Sequence, residues 1–103
     1  MFKHNTYRRV NYGETDRMGY LYYGHYASYY EVGRVEALRS LGIRYRDMED
    51  EEGVMLPVTE MQIKYLRPAK YDEVVRIESI LHEMPDRDIH FDFNLYNEKG
   101  KIL

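Results

Sequence analysis

Two acidic residues stand two apart in a short turn, Glu14-Thr15-Asp16, and a few residues later Gly24-His25-Tyr26 opens a long helical pattern. A carboxylate held beside a helix N-terminus has a definite chemical use. It can take a proton from water or attack an electrophilic carbon itself. The first N–H groups of the helix have no partner within it and sit at its positive pole, so they can stabilise the oxyanion that results. Asp16 is the candidate carboxylate, and Glu14 competes with it on residue type alone. A lone acid in a turn more often caps backbone or meets solvent. The pattern around Asp16, rather than Asp16 by itself, therefore carries the reading.

Other chemistries have less to stand on. Ser28, Ser40 and Ser79 lack the Gly-x-Ser-x-Gly setting of a nucleophilic serine. The chain has no cysteine, which removes both a thiol nucleophile and a disulfide framework. His4, His82 and His90 fall on separate predicted strands without ligand spacing, so no metal site is predicted. Asp88 and Asp92 share a strand face with His90, and simple alternation turns that face to solvent.

The elements that must position these groups follow from periodicity. Residues 6–12 read as a first strand ended by Gly13, the turn spans 14–19, and 20–23 are extended or irregular. A helix is predicted over 24–41, with Tyr26, Tyr30, Gly33, Ala37 and Leu41 on one face. Gly33 costs a helix about 1 kcal/mol against Ala, which predicts close approach of a sheet at that point. Glu31 and Arg34, like Glu36 and Arg39, are spaced to pair on the surface, and Gly42 is a C-cap signal. Residues 44–53 are polar and acidic and read as a solvated loop.

Three more strands alternate apolar and polar residues: 59–65, 75–81 and 89–95, with connections at 68–71 and 85–88. One apolar face per strand means one antiparallel sheet covered on one side, and the single long helix is its only available cover. The fold class is α+β. Asn97-Glu98-Lys99-Gly100 reads as a hairpin turn, and Lys101-Ile102-Leu103 as the start of a further strand.

A chain of 103 residues with 44% hydrophobic content fits one folded domain. A net charge of −3 with both signs interspersed argues against nucleic-acid binding by bulk charge. The opening MFKHNTYRRV has no apolar signal-peptide run and no stretch suits a membrane span, so the cytoplasm is the default location. Twelve tyrosines and no tryptophan suit pocket walls and subunit interfaces, and equally any half-buried strand.

Tyr12, Glu14-Thr15-Asp16, Gly19, Tyr22-Tyr23, Tyr26 and Glu31 to Arg34 together resemble the signature of hotdog-fold acyl-CoA thioesterases of the hydroxybenzoyl-CoA thioesterase type. A second stretch, 63–72, resembles that family's strand–turn–strand passage. The resemblance implies a hotdog fold, one antiparallel sheet wrapped around a central helix. It implies hydrolysis of an acyl thioester, most readily acyl-CoA, with Asp16 as general base or nucleophile and the backbone N–H of Tyr23 as oxyanion donor. Many members carry His where this chain has Tyr23 and Asn where it has His25. A backbone donor survives that change, whereas any role of a histidine side chain is missing here or passes to His25.

Arg67, Lys70 and Arg87 could meet the phosphates of coenzyme A near a subunit boundary, although basic loop residues are more often simply solvated. The resemblance puts Thr59 near the pocket, with core packing the commoner role for such a residue. No cofactor is implied beyond the coenzyme A thioester substrate. Members are dimers or tetramers of dimers whose sheets join edge to edge and whose sites lie between subunits; residues 58–65 are the edge nominated here. A long strand follows the last turn in the family, so 1–103 reads as one hotdog domain lacking its final strand. Two rival functions are a non-catalytic module binding acyl or aromatic thioesters, motivated by Tyr23 and His25, and a carrier-protein thioesterase. The latter needs a basic docking patch that the net acidity does not advertise.

Overall fold

The structure, a computed structural model, describes residues 2–44, 46, 60–82 and 89–103. Thr59, Arg87 and Asp88, the acidic run 47–52 and the connection 85–88 lie outside these residues. Strand β1 (Phe2–Arg9), helix α1 (Tyr26–Ser40), strand β2 (Val74–Leu81) and strand β3 (Phe91–Tyr96) are the main elements. The strands form one antiparallel sheet in the order β1-β2-β3. Helix α1 packs across β1 and β2 and reaches β3, covering one face as the alternation requires. This is the α+β hotdog arrangement of a long helix against an antiparallel sheet.

The core lies between the two layers. Val75, Ile77 and Ser79 of β2 are fully buried and face α1, whose Tyr26, Tyr29, Gly33, Ala37 and Leu38 are buried in turn. Each fully buried Val, Ile or Leu contributes roughly 1.5–3 kcal/mol. Gly33 is the point of closest approach. A Cβ there would stand 2.7 Å from both the Ile77 Cγ2 and the Ser79 Oγ, so only glycine lets the helix sit this low.

The helix begins with a 3-10 turn, Tyr23–His25, and stops as its sequence indicates. Gly42 takes φ +82°, its N–H donates to the Arg39 carbonyl and that of Ile43 to the Leu38 carbonyl, the paired bonds of a Schellman cap. The buried face differs from the predicted one. Tyr29 is fully buried, Tyr30 only partly, and Leu41 is 49% exposed. A stripe at spacings of three and four drifts around the helix, and Tyr29 is drawn inward by a polar partner described below.

Two strand boundaries also moved. The first strand runs from Phe2 to Arg9, because 2–5 pair with Glu78 to Leu81 of β2. Tyr12 therefore lies beyond it, 79% exposed in a 3-10 turn (Tyr12–Glu14). Residues 60–65 alternate like a strand but belong to no ladder among the described residues. Their side chains nonetheless use the alternation: Ile63 packs on the core and the Tyr65 ring meets Tyr26 edge-on, centroids 4.9 Å apart. An apolar-polar period reports which face is covered, not whether the backbone has a partner. Just past that segment the Leu103 carbonyl accepts the N–H of Leu66 at 2.7 Å and of Arg67 at 3.1 Å. The turn at 97–100 forms as predicted, with Gly100 at φ +78° and Ile102 bridging back to Tyr96.

Candidate active site

The loop from Glu14 to Tyr22 carries the predicted site. It is closed at its base by the Tyr22 N–H donating to the Glu14 carbonyl at 2.8 Å, then by a Thr15–Leu21 bridge, then by the Asp16 N–H donating to the Tyr20 carbonyl at 2.9 Å. One side is laced to residues 69–71: Leu21 N–H donates to the Ala69 carbonyl and Tyr71 N–H to the Gly19 carbonyl. At the tip Gly19 adopts φ +77°, a conformation glycine enters without steric cost.

Asp16 sits at this tip and is exposed. Its Oδ1 accepts the N–H of Met18 at 2.8 Å and of Tyr20 at 3.2 Å. These two bonds aim the carboxylate, and no donor among the described residues occupies Oδ2. The carboxylate borders an open concavity whose walls include Tyr12, Thr15, Arg17, Gly19 and Tyr71. Tyr12 and Tyr71 meet edge-on there, centroids 5.7 Å apart, and give the hollow an aromatic side.

Glu14 has a different fate. It is 9% exposed, and both its oxygens are occupied. Oε2 takes the Arg8 guanidinium at 2.7 Å, while Oε1 takes the Tyr29 hydroxyl and the Asn11 N–H, each at 2.9 Å. The Arg8 guanidinium also lies over the Tyr29 ring, 4.4 Å from its centroid. Burial, reinforced by the hydrogen bond to Glu14, pushes the Tyr29 hydroxyl well above the ordinary tyrosine range. The two acids thus differ in bonding: both Glu14 oxygens are tied into the fold, while Asp16 uses only Oδ1 among the described residues. The sequence signal for Glu14 was Asn11-x-x-Glu14, the pattern of a capping box. Its long-range partners Arg8 and Tyr29 had no local signal.

Tyr23 and Gly24 open the helical turn, and neither N–H has an acceptor among the described residues. The Tyr23 N–H is thus open to a ligand, but it is not part of the concavity that holds Asp16 of the same chain. His25 is half-buried, its ring edge-on to Tyr22 with centroids 5.9 Å apart. Around the helix start the aromatics form a continuous wall: Tyr22 on Tyr23 at 4.6 Å, and Tyr65 within 6.4 Å of Tyr23. A hydrogen bond with Tyr23 raises the Tyr22 hydroxyl.

Arg67 is exposed and its guanidinium donates to the Ile102 carbonyl at 2.9 Å, which sets it near the end of the chain and away from the Asp16 hollow. Arg17, not singled out in the sequence, is the basic residue that lines the hollow. His82 and His90 do not stay apart. The Leu81–Phe91 register brings the His82 ring to Asp92, Nε2–Oδ2 2.7 Å, and His90, two residues before Asp92, meets its other oxygen, Nε2–Oδ1 3.2 Å. Among the described residues no cluster of His, Cys, Asp or Glu is placed to hold a metal ion, and no helix is long and apolar enough to cross a membrane.

Residues 18–103 match the family model of the Thioesterase superfamily, which begins just after Asp16 and runs through the helix and the whole sheet beyond β1. The chain belongs to that superfamily. Within it, this is a hotdog-fold acyl-CoA thioesterase, an enzyme of the thioester hydrolase class. A putative acyl-CoA thioesterase of Bacillus subtilis, YneP, is 33% identical over 93 residues, covering 90% of this chain and 67% of its own length. The DHNA-CoA thioesterase of Staphylococcus aureus superposes with a TM-score of 0.92 at 32% identity, over 99% of this chain and 68% of that one. A hypothetical protein of Thermus thermophilus does so with a TM-score of 0.92 at 34% identity, over 99% and 76%. This thioesterase chain therefore spans about two thirds of the length of the Bacillus and Staphylococcus relatives.

Proposed function

We propose that this thioesterase hydrolyses acyl-CoA with Asp16 as its chemical centre and the Tyr23 N–H as oxyanion donor. The observation that carries this reading is the sorting of the two acids: Asp16 is aimed by the Met18 and Tyr20 N–H groups with Oδ2 open, while Glu14 is fully bonded. From Oδ2 the carboxylate either takes a proton from water or attacks the thioester carbonyl carbon directly. In both routes the carbonyl oxygen becomes negative, the C–S bond breaks and coenzyme A leaves as thiolate. In the direct route water then cleaves the acyl-aspartyl anhydride. The net reaction consumes one water and yields a carboxylic acid and free coenzyme A.

The completed site lies between two copies of the chain. In support, the Asp16 hollow does not include the helix start of its own chain, while Tyr23 is 64% exposed with an unoccupied N–H. Residues 60–65, with no ladder partner among the described residues, supply the edge for a homodimer or a tetramer of dimers. Arg67, Thr59 and Arg87 remain the proposed contacts to coenzyme A and acyl group, and Arg17 joins them on its position in the hollow. An aromatic acyl group is the first substrate to try. The hollow is walled by Tyr12 and Tyr71, and the Staphylococcus aureus relative acts on DHNA-CoA.

The test is steady-state hydrolysis of short, long and aromatic acyl-CoAs, paired with the same acyl groups on carrier protein. Turnover with coenzyme A thioesters preferred is the expected result. Saturable binding with no turnover of any substrate would replace the enzyme by a thioester-binding module. Preference for carrier-bound substrates would make it a carrier-protein thioesterase.

A further inference from the structure

We propose that Tyr29 and Arg8, acting through Glu14, are positioning residues that hold the loop bearing Asp16 in place on β1 and α1, an inference that rests on the Asp16 reading above. The Glu14–Tyr22 rung makes Glu14 the base of the loop that carries Asp16 at its tip and delivers the chain to Tyr23. On one side the loop is laced to 69–71 through Leu21 and Tyr71. On the other side, toward β1 and α1, the Glu14 side chain holds it, bonded to Arg8 of β1 and Tyr29 of α1. The backbone of Glu14 thus sets the loop and its side chain sets where the loop sits on the helix.

The anchor is built to be stiff. It joins three elements through one carboxylate, at 2.7 to 2.9 Å, with Tyr29 fully buried and clamped under the Arg8 guanidinium. Charge-assisted bonds of this length are among the stronger ones a protein makes. A carboxylate that must meet a reacting carbon loses rate steeply when its support slackens, because misplacement of about 1 Å can cost on the order of a hundredfold. Binding of the substrate need not change, since neither Tyr29 nor Arg8 lines the hollow.

Tyr29→Phe tests this. It deletes one hydrogen bond and keeps the ring beneath Arg8. The expected outcome is a kcat lowered about tenfold with KM within about twofold of wild type. In an Asp16→Asn background the same change should cost less than about twofold, because there is no longer a base to position. Residue-resolved amide exchange gives a readout independent of turnover: the Met18 and Tyr20 amides, which hold Asp16, should exchange roughly tenfold faster while the Ile77 amide in β2 is unaffected. A kcat within twofold of wild type, an equal loss in the Asp16→Asn background, or unchanged Met18 and Tyr20 exchange would each overturn the proposal. Should Tyr29→Phe fail to fold, Arg8→Lys keeps a donor for Glu14 but loses the fork, and predicts the same pattern at about threefold. Full activity in Asp16→Asn alone would overturn the Asp16 reading itself, a result the exchange data cannot mimic.

Discussion

The Tyr29 hydroxyl donates to Glu14 Oε1 at 2.9 Å, linking the first turn of the helix to the base of the loop that bears Asp16. The bond is buried; Oε1 also accepts the Asn11 N–H, and the Arg8 guanidinium takes the other oxygen, Oε2. This leaves Glu14 with neither oxygen free, in contrast to Asp16.

Removing that acceptor should be costly. Glu14→Ala leaves a buried tyrosine hydroxyl and a largely buried guanidinium without their partner, at an expected cost of roughly 2–4 kcal/mol. Urea denaturation would show it as a lowered midpoint with an unchanged slope. Glu14→Gln, which retains an acceptor for Tyr29, should lose less.

High pH should destabilise the fold through the same region. Burial raises Tyr29 and Tyr26 and pushes Tyr30 up to about 12. Unfolded tyrosine titrates near 10, so between pH ~10 and ~12 the unfolded chain releases protons that the folded one keeps. Stability is then level below pH ~10 and falls above it. Denaturation midpoints measured from pH 8 to 11.5 check this, and Tyr30→Phe should flatten the decline.

The close approach at Gly33 predicts a pair of opposite effects. Gly33→Ala gains about 1 kcal/mol of helix propensity but forces Ile77 and Ser79 aside, at about 1–3 kcal/mol, for a net loss. Ser79 Oγ is buried without a hydrogen-bond partner among the described residues, so Ser79→Ala should be neutral or stabilising by up to about 1 kcal/mol. The double variant should recover part of the Gly33→Ala loss, a non-additivity that thermal melts can resolve.

Much of this architecture was legible in the sequence, and the reasons are local. The helix, its Gly42 cap, the Asn97–Gly100 turn and the close packing at Gly33 each have their cause within a few residues. What was missed depends on distance in sequence. Tyr29 rather than Tyr30 turns inward because Glu14 receives it, and no periodicity records that partner. His82 reaches Asp92, already a neighbour of His90 along the chain, only through the β2–β3 register. Residues 60–65 show the strand alternation without a ladder among the described residues, because side-chain burial and backbone pairing are separate requirements.

Association is the next expectation. Met61, Tyr65 and Leu66 are each about half exposed, at 52%, 49% and 50%. Sedimentation velocity should show a concentration-dependent dimer, and Met61→Lys should weaken it roughly tenfold, the equivalent of ~1.4 kcal/mol. Only monomer across the accessible concentration range would contradict a site shared between subunits.

The most direct measurement is the kcat of Asp16→Asn beside wild type on the best acyl-CoA, with substrate affinity measured in parallel. The substitution keeps the size of the side chain and an oxygen to accept the Met18 and Tyr20 N–H groups, while removing the base. The expected result is a fall of two or more orders of magnitude in kcat with affinity retained. Unchanged turnover would contradict Asp16 as the chemical centre.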